Sequence, residues 1–168
     1  MSLRARVCDV KFVNNATLLT AAFSLEITFE LYEDLKGDFE FELVYVGSAT
    51  DSNLDQMLDS VIMGPLQQGR HRFVFDAPAP DLSKCAQDDI HGVTLLILSV
   101  RYIEQRFMSI KFFVANEYTE QELVDIPPTK PIIEKLRRFV KDENEDVRVT
   151  FFTIDWDKIP ELEDEIEA

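Results

Sequence analysis

Phe23, Leu25, Ile27, Phe29 and Leu31 alternate with Ser24, Glu26, Thr28 and Glu30, a period of two that predicts a strand with one apolar and one polar face. Phe39, Phe41, Leu43 and Tyr45 repeat the pattern against Glu40, Glu42 and Val44. Lys36-Gly37 supplies turn material between the two runs, which are therefore expected to pair antiparallel. Further strands are predicted over 6–12, 58–63, 70–75, 93–102, 106–114 and 148–156, separated by short polar or proline-bearing stretches. Short strands at such regular spacing imply a β-sandwich.

Helical signal is confined to one capped turn at 119–123, where Thr119 and Glu122 have capping-box spacing, and to a second candidate at 131–140. The stretch 77–90, APAPDLSKCAQDDI, carries Pro78 and Pro80 and reads as a loop crossing between sheets, which suits an immunoglobulin-like topology. The expected class is all-β: an immunoglobulin-like β-sandwich with short helical turns in its connections. From Asp157 onward the chain is acidic and lacks aromatic residues, so one domain over 1–156 and a disordered acidic tail over 157–168 are expected.

The composition fits that division. Hydrophobic residues make up 46% of the 168, including 13 Phe, enough to fill one core without metal or disulfide staples. Thirty-two Asp and Glu against 17 Lys and Arg leave a net charge of −15, which repels phosphate backbones and draws in cationic partners. Neither DNA nor RNA is expected as a direct ligand. Excess acid can equally serve only to keep a domain soluble, so charge alone decides little. Cys8 and Cys85 form no C-x-x-C pair and predict two free thiols in a reducing, intracellular setting. The first twenty or so residues lack an export-type apolar stretch. The longest apolar run, 93–100, contains Thr94 and Ser99 and is far shorter than the roughly 20 residues a membrane-spanning helix needs, so no membrane segment is expected.

Catalytic chemistry finds no foothold in the pattern. G-x-S-x-G, G-x-x-x-x-G-K-[ST] and H-E-x-x-H are all absent, and no enzyme activity, catalytic residue or cofactor is expected. His71 and His91 are the only histidines, too few for a metal site without unrelated carboxylates. Asp51, Asp55 and Asp59 would share a helical face, but Met57, Leu58, Val61, Ile62 and Met63 run into Gly64-Pro65 and favour a loop leading into a strand. An acidic surface patch and a plain solvated loop are equal readings there. Alternation puts Val93, Leu95 and Ile97 on one face, and pattern alone reads that face as core.

Seven strings occur in one order: EITFELYEDL (26–35), YVGSA (45–49), LDQMLDSVIMGP (54–65), GRHRFVF (69–75), NEYTEQEL (116–123), PPTKP (127–131) and RVTFFTIDW (148–156). Together, over about 4–156, they resemble the conserved core of the anti-silencing-function histone chaperones. The resemblance implies an elongated immunoglobulin-like sandwich that grips the histone three–histone four heterodimer, blocks its tetramerisation and hands it to deposition factors in nucleosome assembly and disassembly. It implies a monomer, in the nucleus with a cytoplasmic pool, needing no cofactor.

For histone three the matching positions are Asp55, Asp89, Leu95, Ser109, Lys111 and Phe113, with the Val93–Leu95–Ile97 face turned outward instead of into the core. For histone four, whose end would add a strand beside the last strand of the domain, they are Arg148, Val149 and Thr150, with Ile97, Phe112 and Val149 lining one pocket for an aromatic residue. A second surface, for peptides of the histone regulator and chromatin assembly factor complexes, matches Asp38, Ser60, Val61, Ile62, Met63 and Pro65.

The chain also departs from the family pattern. Ser109 stands where an Arg is usual, with Lys111 two residues on as its substitute. Phe112 and Phe113 replace tyrosines, Leu95 replaces a Val, Gly37 lies where an acidic residue is usual, and 139–147 is longer by about two residues. Lys135, Arg137, Arg138 and Lys141 form a weak basic cluster, a pattern that is more often a solvated helical face than a targeting signal. The alternative is a non-histone immunoglobulin-like interaction module whose binding face drifted at Ser109, Phe112 and Phe113.

Overall fold

The computed structural model describes residues 3–141 and 148–160, and in them the alternating runs become ten strands in two antiparallel sheets. The smaller sheet has the order β1-β3-β6, from Ala5–Phe12, Phe23–Leu31 and Gly69–Ala77. The larger runs β2-β9-β8-β7-β4-β5, from Thr17–Leu18, Leu136–Lys141, Gln105–Tyr118, Gly92–Tyr102, Phe39–Tyr45 and Gln56–Met63. The last strand, β10 (Arg148–Phe151), pairs with β8 at residues 108–111, on the edge that β9 occupies at 113–118. This is the all-β sandwich the alternation predicts.

The apolar halves of the strands face each other across the gap. Leu25, Ile27, Phe29 and Leu31 meet Phe39, Phe41 and Leu43, all buried, and each such side chain contributes about 1.5–3 kcal/mol when fully removed from water. The Phe29 ring lies 6.1 Å from Phe39, 5.3 Å from Phe41 and 5.9 Å from Phe73 between centroids.

Several expectations are corrected here. The runs 23–31 and 39–45 are not paired; β3 and β4 lie in different sheets and face each other through the core. The connection between them, residues 32–38, is longer than a tight hairpin loop and crosses between sheets, tied midway where Leu35 N–H donates to Leu66 O at 3.1 Å. The Thr119–Glu122 capping box does not form: α1 is Gln121–Asp125, its N-cap is Glu120, and no side chain caps it. No helix spans 131–140. A 3-10 turn at Ile133–Lys135 leads straight into β9, whose Leu136, Arg138 and Val140 point inward.

Arg138 is therefore no part of a solvated helical face. It is buried, donating to Leu19 O (3.4 Å), Ala21 O (2.8 Å) and Ala22 O (3.1 Å), with its guanidinium carbon 3.6 Å from the Phe23 ring centroid. Burial lowers its pKa to about 10, which leaves it a cation at neutral pH.

The strand expected over 148–156 stops at Phe151. Phe152 N–H still donates to Phe107 O at 2.8 Å, after which Ile154 and Trp156 turn into the core. Trp156 stacks on Tyr102 with centroids 5.4 Å apart. Gln105 clasps Asp155 twice, at 2.9 and 3.0 Å, and Arg4 binds Asp157 at 2.7 Å. The first residue of the expected tail is thus ion-paired to the domain, while 161–168, like 142–147, lies outside the described residues. The loop expected over 77–90 begins one residue later, since Ala77 ends β6, and carries 3-10 turns at Leu82–Lys84 and Gln87–Asp89. Cys8 and Cys85 are both free thiols, and no described helix is long and apolar enough to cross a membrane.

Candidate functional site

Cross-strand partners in an antiparallel sheet share a face, so the register lays out the outer surface of the larger sheet row by row. One row is Met57, Val44, Ile97, Lys111 and Arg148; another pairs Leu95 with Phe113 and Lys141; a third pairs Val93 with Ala115 and Phe139. Val93 is 62% exposed and Met57 61%, while Leu95, Ile97 and Phe113 are half-buried. Their neighbours Leu96, Leu98, Phe112 and Val114 fill the core. The face carrying Val93, Leu95 and Ile97 is thus outward, against the pattern-only reading. Both faces of β7 are apolar, which is why alternation could not tell them apart.

Moving along the same face, Ser60, Glu42, Ser99, Ser109 and Thr150 form a polar row, followed by Ile62, Glu40, Arg101 and Arg106. Ser109 is buried, and Lys111 stands beside Arg148, whose guanidinium lies 5.8 Å from the Phe113 ring centroid. Arg101 is held by Glu42 at 3.0 Å and Glu40 at 3.9 Å.

Asp55 and Asp89 bound the apolar rows at their far end. Asp55 caps the 3-10 turn Ser52–Leu54 just before β5, and Asp89 closes the turn just before β7. Both strands meet β4 there, where Gln56 and Leu96 flank Tyr45 and Val46 N–H donates to Leu95 O. Both aspartates are exposed, and burial, then Asp51, raises the Asp55 pKa.

Among the described residues no strand pairs with the other edge of β10, and Arg148, Val149, Thr150 and Phe151 are all exposed. On its inner side a hollow of about 310 Å³ opens between β1 and β8, lined by Arg6, Val7, Cys8, Asp9, Val10, Met108, Ile110, Phe112, Val149 and Phe151. The three-residue pocket expected from the resemblance does not form as one site. Phe112 and Val149 border the hollow, but Ile97 pairs with Lys111 and faces the other side of the sheet. The Phe112 ring also meets Phe12 edge-on at 5.1 Å, which fixes it as a wall.

At the opposite edge, β5 is paired, among the described residues, only with β4. Ser60 and Ile62 share the outer face, Val61 and Met63 turn toward the core, and Pro65 follows the strand. Asp38 and Ile62 come together at a second hollow, of about 430 Å³, with Glu40, Ile103, Glu104, Lys158 and Pro160. Glu40 was legible as an outward residue from its alternation. Ile103, Glu104, Lys158 and Pro160 were missed because they come from a turn and an arm that no sequence period describes. No three His, Cys, Asp or Glu side chains among the described residues are grouped to hold a metal ion.

The profile of the ASF1 like histone chaperone family matches residues 2–157. Probable histone chaperone asf-1 of Caenorhabditis elegans is 51% identical over 156 residues, 93% of this chain and 56% of the relative. Histone chaperone ASF1 of Coccidioides immitis is 46% identical over 148 residues, 88% of this chain and 54% of the relative. Histone chaperone asf1 of Drosophila melanogaster is 40% identical over 154 residues, 92% and 70% respectively. The chain spans little more than half the length of the first two. With a family profile matched over nearly its whole length and relatives 40–51% identical, the chain belongs to the ASF1 like histone chaperone family.

Proposed function

We propose that this chain binds the histone three–histone four heterodimer, blocks its tetramerisation and passes it to deposition factors in nucleosome assembly and disassembly, working in the nucleus with a cytoplasmic pool. Binding, not bond chemistry, is its mechanism. The observation that carries this reading is the outward apolar ground of Val93, Leu95, Ile97 and Phe113, bounded by Asp55 and Asp89. A basic amphipathic helix needs both parts of such a site: an apolar seat for one face and carboxylates for its flanking Lys and Arg.

In this reading Leu95 and Phe113 seat the histone-three helix, while Asp55 and Asp89 accept charge-assisted hydrogen bonds from it. Lys111, beside Arg148, supplies the cation that Ser109 lacks. The open β10 edge takes the end of histone four as an added strand, with backbone bonds at Arg148, Val149 and Thr150 and an aromatic side chain reaching the hollow beside Phe112 and Val149. The β5 edge and Asp38 take an extended peptide of a deposition complex.

Sedimentation of histone three–histone four tetramer mixed with an excess of the chain tests the central step. A single species holding one copy each of the chain, histone three and histone four is expected. A tetramer that persists with the chain bound to its outside contradicts the reading.

A further inference from the structure

Far along the outer face from Leu95, the β5 edge ends at the hollow of about 430 Å³, whose walls come from four separate stretches. Asp38 and Glu40 stand at or near the start of β4, Ile62 on β5, Ile103 and Glu104 on the β7–β8 turn, and Lys158 and Pro160 beyond Trp156. Three carboxylates around two isoleucines and a proline form a cup for a long cationic side chain, its stem on the apolar wall and its head among the acids. The chain places such a group there itself. Lys158 lines the cup, yet it is ion-paired with none of Asp38, Glu40 and Glu104.

Both parts that complete the cup are held in position. Ile103 and Glu104 have φ of 47° and 62°, a left-handed conformation that is costly for a β-branched residue. The turn is fastened by Ile103 N–H to Asp38 O at 3.1 Å and by the Ile103 side chain filling the space above Gly37, where an added Cβ would run into it. Glu104 is thereby presented beside Asp38. The arm is fastened by Trp156 on Tyr102, Gln105 on Asp155 and Arg4 on Asp157, which delivers Lys158 to the opposite wall. Glu40 already faces Arg101 at 3.9 Å on the outer face, so Asp38 and Glu104 are the carboxylates of the cup that carry no ion pair among the described residues.

We infer that Lys158 competes with the cationic side chain of a basic peptide paired along the β5 edge for the carboxylates of this cup, Glu104 among them, and so sets the affinity for that peptide. The inference rests on the reading of β5 as a peptide site and adds to it the cup, the role of Glu104 and the internal competitor. Asp38, Glu104 and Lys158 are all exposed, so substitutions there leave the fold in place.

Fluorescence anisotropy with a labelled synthetic peptide of alternating valine and arginine, at low and high salt, tests it. Lys158→Met is expected to bind about threefold tighter than wild type and Lys158→Glu about tenfold tighter, both gains shrinking as salt screens them. Glu104→Gln is expected to bind about threefold more weakly. Lys130→Glu, the same charge change outside the cup, is expected to match wild type; an equal gain there would assign the effect to net charge and overturn the inference. Weak binding by Asp38→Asn with wild-type binding by the Lys158 and Glu104 variants would overturn the cup and leave the β5 reading standing. Wild-type binding by Asp38→Asn as well would overturn both.

Discussion

Leu95 of β7 lies directly across from Phe113 of β8, both side chains on the outer face of the larger sheet, while their sequence neighbours Leu96 and Phe112 pair in the core. Around this pair the two adjacent strands are therefore apolar on both sides. Core packing needs only one of those sides, so the other is available for a partner.

Asp55 at the border of this ground makes binding sensitive to pH. Its carboxyl titrates above the ordinary aspartate range because of burial and Asp51, and a histone Lys or Arg beside it would pull the pKa down. The bound form then holds the proton less tightly than the free form, so affinity is full above the free-state pKa and falls as pH drops through it. Calorimetric titrations with the histone heterodimer from pH 7 to pH 4.5 should show this decline in wild type. Asp55→Asn should bind more weakly at pH 7 and show a flatter profile.

Gly37 and Ile103 should behave as one unit. A Cβ at Gly37 collides with the Ile103 side chain, so Gly37→Ala is expected to cost about 1–3 kcal/mol in urea unfolding. Ile103→Gly suits the left-handed φ but gives up the packing. The double variant should cost less than the two singles added, by about 1 kcal/mol, because the collision is then gone. Strict additivity would show that the contact is not shared.

Arg138 holds the turn before β3 to β9 by three carbonyls and the Phe23 ring. Arg138→Met leaves the Leu19 and Ala21 carbonyls without that donor, while Ala22 O keeps the Asn14 side-chain amide at 3.0 Å, and is expected to destabilise by about 3 kcal/mol. Arg138→Lys should recover only part, since an ammonium cannot span them as the planar fork does. Denaturant midpoints check both, with Arg137→Met, a less buried neighbour, expected within about 0.5 kcal/mol of wild type.

The Arg4–Asp157 contact should be visible in titration. Arg4 holds the Asp157 carboxyl below the ordinary aspartate range, first by hydrogen bonding and then by charge. A depressed folded-state pKa means that the contact's contribution is present above the unfolded value and lost as pH falls through the folded one. Carbon-detected NMR should find the Asp157 midpoint low in wild type and back in the ordinary range in Arg4→Ala.

The strands were legible in the sequence because one-faced burial imposes a period of two, and β3, β4, β5, β6 and β7 lie within two residues of where that period puts them. Their partners were not, since alternation carries no record of which sheet a strand joins; Phe29 and Phe41 read the same whether they share a sheet or face across a core. β9 was misread because Arg138, a cation on the buried face, breaks the apolar period that would mark a strand. Ile154 and Trp156 failed the opposite way, since their spacing imitates a strand although they plug the core from a coil. On the candidate site, family resemblance rather than pattern turned Leu95 outward, and only the register separated Ile97 from Phe112.

Calorimetric titration of the histone three–histone four heterodimer into wild type and Leu95→Arg, at moderate and high ionic strength, tests the central claim most directly. Circular dichroism should show both proteins folded, since Leu95 points outward. Wild type is expected to bind tightly and to keep most of its affinity at high salt, while Leu95→Arg loses about 100-fold or more, the scale of a central anchor in an interface. Equal binding by the two proteins, fading together as salt rises, would mean that acidic attraction alone draws the histones and that the Leu95 face is not the site.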